Sequence, residues 1–322
     1  MRPGPPANTA MAVPEEPATR TQVAVSGYLY GMLAALIWGS QLVMSRAGVT
    51  VGLDGFDVAA IRCGAAGVVM LPWFIIQRPY GRGAARTPWS NVFWLALTAG
   101  PLFTFASLGG FRFAPLPHGA VLQPSTVVLG SMLLSALFLG ERLRLLRLLG
   151  TIVIVLGLVL IAGPALLEGD RLTPLGDLSF MAAGLLFATY SVLQKRWSVS
   201  PMAATGATSI VAGVFYLPPY LVFVGWERIL ALSWSMLIAQ IVVQGLLTGF
   251  VSLVAFGRSI QILGAGRASL FPALVPASAV ILGIPIVDEW PTPGQTAGLV
   301  VVTIGLLIAL SSGASGRGRQ KS

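Results

Sequence analysis

The residues that could carry out chemistry are few, and they are not grouped as an enzyme active site would need. His118 is the only histidine and Cys63 the only cysteine, and HExxH, GxSxG and GxxxxGK[ST] patterns are absent. A histidine can act as a base or a proton carrier, but no nucleophile and orienting acid accompany His118 along the chain. The sequence therefore predicts no enzyme, no ATP-driven pump, no metal site and no cofactor.

None of the eleven carboxylates lies near the middle of a long apolar stretch. Proton-coupled pumps commonly use an acid within the membrane, so exchange through a buried glutamate is not expected here. We interpret Asp57 and Asp177 as caps at helix starts. Arg62 is the deepest cation, and it either extends its guanidinium toward the headgroups or receives a substrate carboxylate. His118 either couples or gates transport, or is a solvated loop residue.

Uncharged polar and aromatic side chains within the apolar stretches are better candidates for contact with a substrate. A buried amide or indole N–H costs free energy unless it meets a partner, so such groups either pack together or face a cavity. The proline at 124 and its counterpart at 272 can each free a carbonyl one turn earlier, and so act as hinges or simply bend their helices. The predicted substrate-binding residues are Trp38, Ser40, Gln41, Gln123, Ser125, Tyr190, Gln194, Gln244, Thr248 and Phe271, with Pro124 and Pro272 as hinges.

Ten apolar stretches must position these residues. The chain of 322 residues is 55% hydrophobic and 10% charged, and about 20 apolar residues suffice to cross a bilayer core. Alternation with a period of two residues is absent, which argues against a β-barrel. We predict an all-α polytopic membrane protein with spans at about 27–45, 57–76, 92–112, 117–138, 146–163, 177–194, 203–224, 235–256, 260–285 and 293–311.

The distribution of positive charge indicates topology rather than a ligand site. If the N-terminus is cytoplasmic, 15 of the 20 basic residues fall on cytoplasmic segments, as the positive-inside rule describes. Both termini are therefore predicted to be cytoplasmic, in a membrane of the bacterial inner-membrane type. The net charge of +9 is not interpreted as nucleic-acid binding. Residues 1–26 are predicted to be a disordered tail and residues 312–322 a basic tail.

A pattern of rare residues occurs twice. Pro124, Glu141, Gly150 and Gly157 recur 148 residues later, as Pro272, Glu289, Gly298 and Gly305, and Trp38 matches Phe187 at an offset of 149. We infer an internal duplication with repeats at 27–163 and 164–311. Each repeat holds five spans, and because five is odd the second repeat enters the membrane from the opposite face. The sequence thus predicts two inverted five-helix repeats, an architecture of many secondary transporters.

These features resemble the EamA family of the drug/metabolite transporter superfamily. The resemblance is carried by Trp38-Gly39-Ser40, by Pro124 followed by Leu139-Gly140-Glu141-Arg142, and by Gly176-Asp177. The second copy departs from the pattern, since Asp288-Glu289-Trp290 replaces Gly-Glu-Arg and no arginine matches Arg62. The resemblance implies ten transmembrane helices, a central substrate cavity and movement of small metabolites, often amino-acid export.

We therefore predict a secondary transporter that exports small metabolites such as amino acids, by alternating access around a central neutral polar cavity. Its partners are then a small-molecule substrate and the lipid bilayer, with no nucleic acid, and no oligomeric state is predicted. The alternatives are a carrier of nucleotide sugars or other organic anions, which needs several cations at the cavity, and a membrane protein that transports nothing. Neither alternative is suggested by mirrored helices with neutral polar groups.

Overall fold

The computed structural model describes residues 20–81, 86–167, 170–287 and 290–311. Within these ranges the chain is helical, and its β-structure is one isolated bridge between Tyr80 and Thr87. Ten helical spans are long and apolar enough to cross a membrane, which confirms the predicted class. In chain order, α1 to α10 are Gln22–Thr50, Gly55–Gln77, Trp89–Gly110, His118–Leu139, Leu145–Ala162, Thr173–Arg196, Pro201–Phe223, Trp234–Leu263, Ala265–Ile286 and Pro293–Ser311.

The boundary between α8 and α9 lies later in the chain than predicted. The hydropathy pattern suggested an end near residue 256 and a new start at 260, whereas α8 continues to Leu263. Gly264 then ends the helix with a φ of +89°, a conformation that glycine adopts without the penalty of a Cβ. A single residue therefore joins these two spans.

Three spans are interrupted. α3 consists of two helices, Trp89–Ala99 and Pro101–Gly110, separated at Gly100. The middle of α8, Ile241–Ser252, is a π-helix. α9 starts with one short turn and continues through a 3₁₀ segment, Phe271–Leu274, that contains Pro272.

The two hinge prolines therefore lie in different surroundings. The helix around Pro124 is continuous from Leu116 to Leu139, whereas the helix around Pro272 is broken before it. A proline removes one backbone hydrogen bond in each helix. Only α9 also changes from α-helix to 3₁₀-helix at its proline.

The duplicated glycines face each other across the contact between α5 and α10. Gly150 lies against the backbone of Gly305, and Gly157 lies against that of Gly298 and Val302. A Cβ on Gly157 would come within 2.7 Å of the Val302 nitrogen, so a larger residue does not fit. Since the first glycine of each helix meets the second glycine of the other, α5 and α10 are antiparallel. Small residues allow this close approach of two helices.

The first helices of the two halves make equivalent contacts. α1 packs on α8 and α9, and α6 packs on α3 and α4. The tight points are Gly39 of α1 against Ser278 of α9, and Gly184 of α6 against the Gln123 carbonyl and Thr126 of α4. Each first helix therefore packs against the third and fourth helices of the other half, so the two repeats are interleaved and helices of both enclose the centre.

At the start of α2, the residue that caps the helix is Asp54 rather than Asp57. Asp54 is the N-cap, and its side chain accepts hydrogen bonds from the Phe56 and Asp57 backbone N–H groups. Asp57 completes a capping box by accepting the Asp54 N–H at 2.8 Å. Asp57 is fully buried, and it also accepts a hydrogen bond from the Tyr220 hydroxyl at 2.7 Å and pairs with Arg228 at 3.0 Å. This cluster ties α2 to α7 and to the loop that follows α7.

Candidate functional site

Aromatic side chains meet where α1 and α6 come together. The Trp38 ring lies edge-on to Phe187 with 5.8 Å between centroids, and it contacts Phe256 of α8 at 5.2 Å. Phe187 stacks on Phe256 at 5.4 Å. Phe103 of α3 and Tyr190 of α6 each lie 5.6 Å from Phe187. These five residues are called the aromatic cluster below.

The aromatic cluster lies at the approximate twofold axis that relates the two halves. Trp38 and Phe187 are equivalent positions of the duplicated sequence, at the offset of 149 residues. Two groups that are related by a twofold axis can touch only beside that axis. Trp38 also contacts Phe256 of α8, the third helix of the second repeat. Phe187 likewise contacts Phe103 of α3, the third helix of the first repeat.

The centre is packed rather than open. Tyr190 and Phe256 are fully buried, and Phe187 is 8% exposed. Two cavities of the structure, of about 380 and 150 Å³, are lined by other residues, at the α2–α3 loop and between α2, α3 and α7. The rings of the aromatic cluster therefore pack together where the two halves meet, and a central substrate cavity stays a prediction.

Polar groups without partners lie beside the aromatic cluster on α6. Gln194 is 1% exposed, and neither its Nε2 nor its Oε1 has a hydrogen-bond partner among the residues that the structure describes. The Ser125 hydroxyl on α4 is likewise without a partner in the described part of the chain, whereas the Tyr190 hydroxyl, one turn before Gln194, lies within reach of Thr208 of α7. A buried polar group without a partner costs about 1–3 kcal/mol. These atoms are therefore the ones that a bound molecule could satisfy.

The amide of Gln244 joins two helices instead. Gln244 is fully buried between α8 and α1, and its Nε2 donates to the Ser45 hydroxyl at 2.9 Å and to the Gln41 carbonyl at 3.3 Å. Its Oε1 is without a partner in the described part of the chain. Thr248 donates to the Val243 carbonyl at 2.7 Å, within the π-helix.

Three other predicted residues also have partners within the fold. The Ser40 hydroxyl donates to a carbonyl of its own helix at 2.7 Å. The Gln123 Oε1 accepts a hydrogen bond from Ser107 of α3 at 2.9 Å. Phe271 is 1% exposed and contacts Tyr28 of α1, with ring centroids 6.5 Å apart. Contact of these residues with a substrate stays a prediction.

Comparison with known families agrees with the duplication and with the ten spans. A family model described as the EamA-like transporter family matches residues 25–163 and 174–311. The chain belongs to this family. One solved structure, titled "Crystal structure of protein", has a TM-score of 0.69 and 18% identity, over 90% of this chain and 98% of that chain. That similarity shows the fold alone. A comparison with curated proteins gives no significant match.

In this EamA-family chain, His118 is not a solvated loop residue. It is 7% exposed, and its Nδ1 lies 2.8 Å from the Asp177 Oδ1. Asp177 lies within α6, which begins at Thr173, so it does not cap that helix. The pair instead connects the starts of α4 and α6. Sequence reasoning could not have found it, because its partners are 59 residues apart.

Arg62 lies on α2 near Tyr216 of α7. The two cation–π contacts of the described residues also lie outside the aromatic cluster, since Arg112 covers Phe56 and Arg196 covers Phe138. These three arginines of the EamA-family protein therefore lie away from the aromatic cluster.

A buried ionic contact that the sequence did not predict closes one end of the bundle. Arg147 is 5% exposed, and its Nη1 lies 3.5 Å from the Glu141 Oε2. The Glu141 carboxylate also lies against Gly264 and Gly266, at the junction of α8 and α9. In the sequence, Arg147 counted only as one of many basic residues near a span end. The structure shows that its pair with Glu141, at the α4–α5 connection, lies against the junction of α8 and α9 in the second repeat.

Proposed function

We propose that this EamA-family protein is a secondary transporter that exports small neutral or zwitterionic metabolites, such as amino acids, by alternating access. The observation that carries the proposal is the contact between Trp38 and Phe187. In an inverted repeat, the two halves can exchange conformations and so open the centre to either side. Because Trp38 and Phe187 are equivalent residues that touch at the axis, their contact must separate whenever the centre opens, to either side of the membrane.

The chemistry around the aromatic cluster supports the substrate class. Rings from four helices supply an apolar surface, and the Gln194 amide supplies a donor and an acceptor that have no partner among the described residues. An amide can accept from an ammonium group and donate to a carboxylate. A zwitterion therefore suits these groups better than a multiply charged anion, which would need arginine or lysine at the same place.

Transport by purified protein in liposomes tests this function. The liposomes are loaded with unlabelled amino acids, and uptake of a labelled amino acid by counterflow is measured for the native chain, Trp38→Ala and Trp226→Ala. We expect the native chain to exchange at least one member of the panel, and Trp38→Ala to lose about tenfold or more of the rate. Trp226, which is 57% exposed, serves as the control, and Trp226→Ala should keep the native exchange rate. Absence of exchange with every amino acid would refute the substrate class.

The His118–Asp177 pair is our proposed coupling site. Protonation of the imidazole converts the 2.8 Å contact into an ion pair and so strengthens the link between α4 and α6. We expect a pH gradient to accelerate export by the native protein and to have no effect on the rate of export by His118→Gln. Without a gradient, His118→Gln should exchange substrate at the native rate. An equal response of both proteins to the gradient would place coupling elsewhere.

A further inference from the structure

A cavity of about 380 Å³ lies at the loop between α2 and α3, and its lining residues are not those of the aromatic cluster. A single water occupies about 30 Å³ of liquid, so the cavity has room for a group of many atoms. We call it the loop pocket, and its lining residues are Phe74, Ile75, Arg78, Tyr80, Arg86 and Trp89.

The aromatic wall of the loop pocket is fixed to the bundle. Tyr80 is 6% exposed, and its hydroxyl donates to the Ala203 carbonyl, at the start of α7, at 2.7 Å. Its ring is 5.6 Å from Phe74 and 5.5 Å from Trp89. Burial, and secondly the neighbouring Tyr190, raise the pKa of Tyr80, so the hydroxyl stays protonated and keeps its hydrogen bond.

Two arginines stand at the rim of the loop pocket. Arg78 caps the end of α2 with a φ of +41°, a left-handed conformation that costs a non-glycine residue free energy. Arg86 stands next to Thr87, whose N–H bonds back to the Pro79 carbonyl at 2.8 Å. Both side chains are exposed, and the ion pairs within the described ranges do not include them. The corresponding loop of the second repeat differs, because its Arg228 is paired with two carboxylates.

The loop pocket lies at the predicted headgroup level of the cytoplasmic leaflet. Ile75 and Ile76, at the end of α2, are 59% and 74% exposed, and Trp89 is 59% exposed. Exposed aliphatic residues ending at a tryptophan and arginines are typical of the boundary between hydrocarbon and headgroups. Tyr80 is bonded to the start of α7, immediately after the predicted cytoplasmic end of α6. The pocket therefore shares a face with the basic residues that the positive-inside rule assigns to the cytoplasm.

We propose that the loop pocket binds the headgroup of an anionic phospholipid from the cytoplasmic leaflet. Arg78 and Arg86 contact the phosphate, and Trp89 and Phe74 cover the glycerol and the first methylenes of the acyl chains. Guanidinium groups match phosphate oxygens in charge and geometry, and anionic lipids attract arginine at this leaflet. The site depends on the predicted membrane orientation and is independent of what the central site transports.

The test compares lipids with soluble phosphates on the purified, delipidated full chain. Native mass spectrometry counts bound phosphatidylglycerol and phosphatidylcholine, and thermal unfolding is followed with each lipid, with glycerol 3-phosphate and with inorganic phosphate. We expect phosphatidylglycerol to bind at least about tenfold more tightly than phosphatidylcholine and to raise the unfolding temperature by several degrees. Equal stabilisation by the soluble phosphates would assign the pocket to a soluble ligand and overturn the lipid proposal.

Three variants test whether the lipid binds in the loop pocket. Arg78→Gly removes one guanidinium and relieves the left-handed backbone, so it should unfold at the native temperature or higher without lipid and lose most of the phosphatidylglycerol effect. Arg86→Gln should also lose most of the phosphatidylglycerol effect. Arg142→Ala removes an exposed charge from the same face, beside Glu141, and should leave lipid binding unchanged. If Arg142→Ala weakens binding as much as Arg78→Gly does, the effect is general surface charge and the proposed site is wrong.

Discussion

The side chain of Gln194 is buried, and neither amide atom is paired with a residue that the structure describes. Stability and function are therefore expected to respond in opposite directions when Gln194 is replaced. Gln194→Leu removes two unsatisfied polar atoms from the core, which should leave the free energy of unfolding unchanged or raise it by about 1–3 kcal/mol. Exchange of amino acids should fall about tenfold or more, because the substrate loses its amide partner. Chemical denaturation and the counterflow assay measure the two effects on one preparation.

Gln123 provides the matched control, since its Oε1 accepts a hydrogen bond from Ser107 at 2.9 Å. Gln123→Leu leaves the Ser107 hydroxyl without its acceptor and should lower the free energy of unfolding by about 1 kcal/mol. A Gln194→Leu protein that is destabilised and fully active would show that Gln194 is only a packing residue.

At the scale of helices, the antiparallel contact of α5 and α10 depends on the absence of a side chain at four glycines. A Cβ on Gly150 would meet the backbone of Gly305 and Ala309, and backbone cannot rotate away as a side chain can. We expect Gly150→Ala to lower the free energy of unfolding by about 1–3 kcal/mol, as overpacking does. Thermal unfolding in detergent measures the loss, and Gly298→Ala should behave alike because it occupies the equivalent position.

Gly64→Ala is the control for this contact. A Cβ on Gly64 would lie 3.5 Å from Leu217, an ordinary distance, so alanine should be tolerated and stabilise α2 by up to about 1 kcal/mol. Equal stability of Gly150→Ala and the native chain would mean that α5 and α10 are not in close contact in solution.

Corresponding helices of the two repeats have diverged. α4 is continuous through Pro124, whereas α9 is broken before Pro272. The break in α9 lies beside Glu141 and Arg147 of the first repeat, which are linked at 3.5 Å. The two halves therefore differ in helical type at equivalent positions, because the 3₁₀ segment occurs only in α9.

At the scale of the whole molecule, the structure indicates which chain ends share a face. Glu141 lies against Gly264 and Gly266 at the start of α9, so Trp290, after the end of α9, belongs to the opposite face. The equivalent of Glu141, Glu289, lies outside the described residues. This arrangement agrees with the inverted repeats that five spans per copy predict.

Cysteine labelling tests the topology. In a Cys63→Ala background, we expect a membrane-impermeant maleimide on intact cells to label Trp290→Cys and to leave Arg142→Cys unlabelled until the membrane is permeabilised. Both positions are exposed in the structure, so protection reports the side of the membrane. Labelling of both from the outside would contradict the inverted repeats and the alternating-access proposal together.

The sequence by itself determined the ten spans, the duplication and its inversion, because span length is a local property and an odd number of spans reverses the second copy. It misplaced the α8–α9 boundary, since apolar residues on both sides of Gly264 conceal the turn. Only the tertiary structure joined Trp38 to Phe187, paired His118 with Asp177 and left Gln194 without a hydrogen-bond partner in the described ranges. These contacts bring together residues from different helices, and a hydropathy pattern holds no information about which faces of distant helices meet.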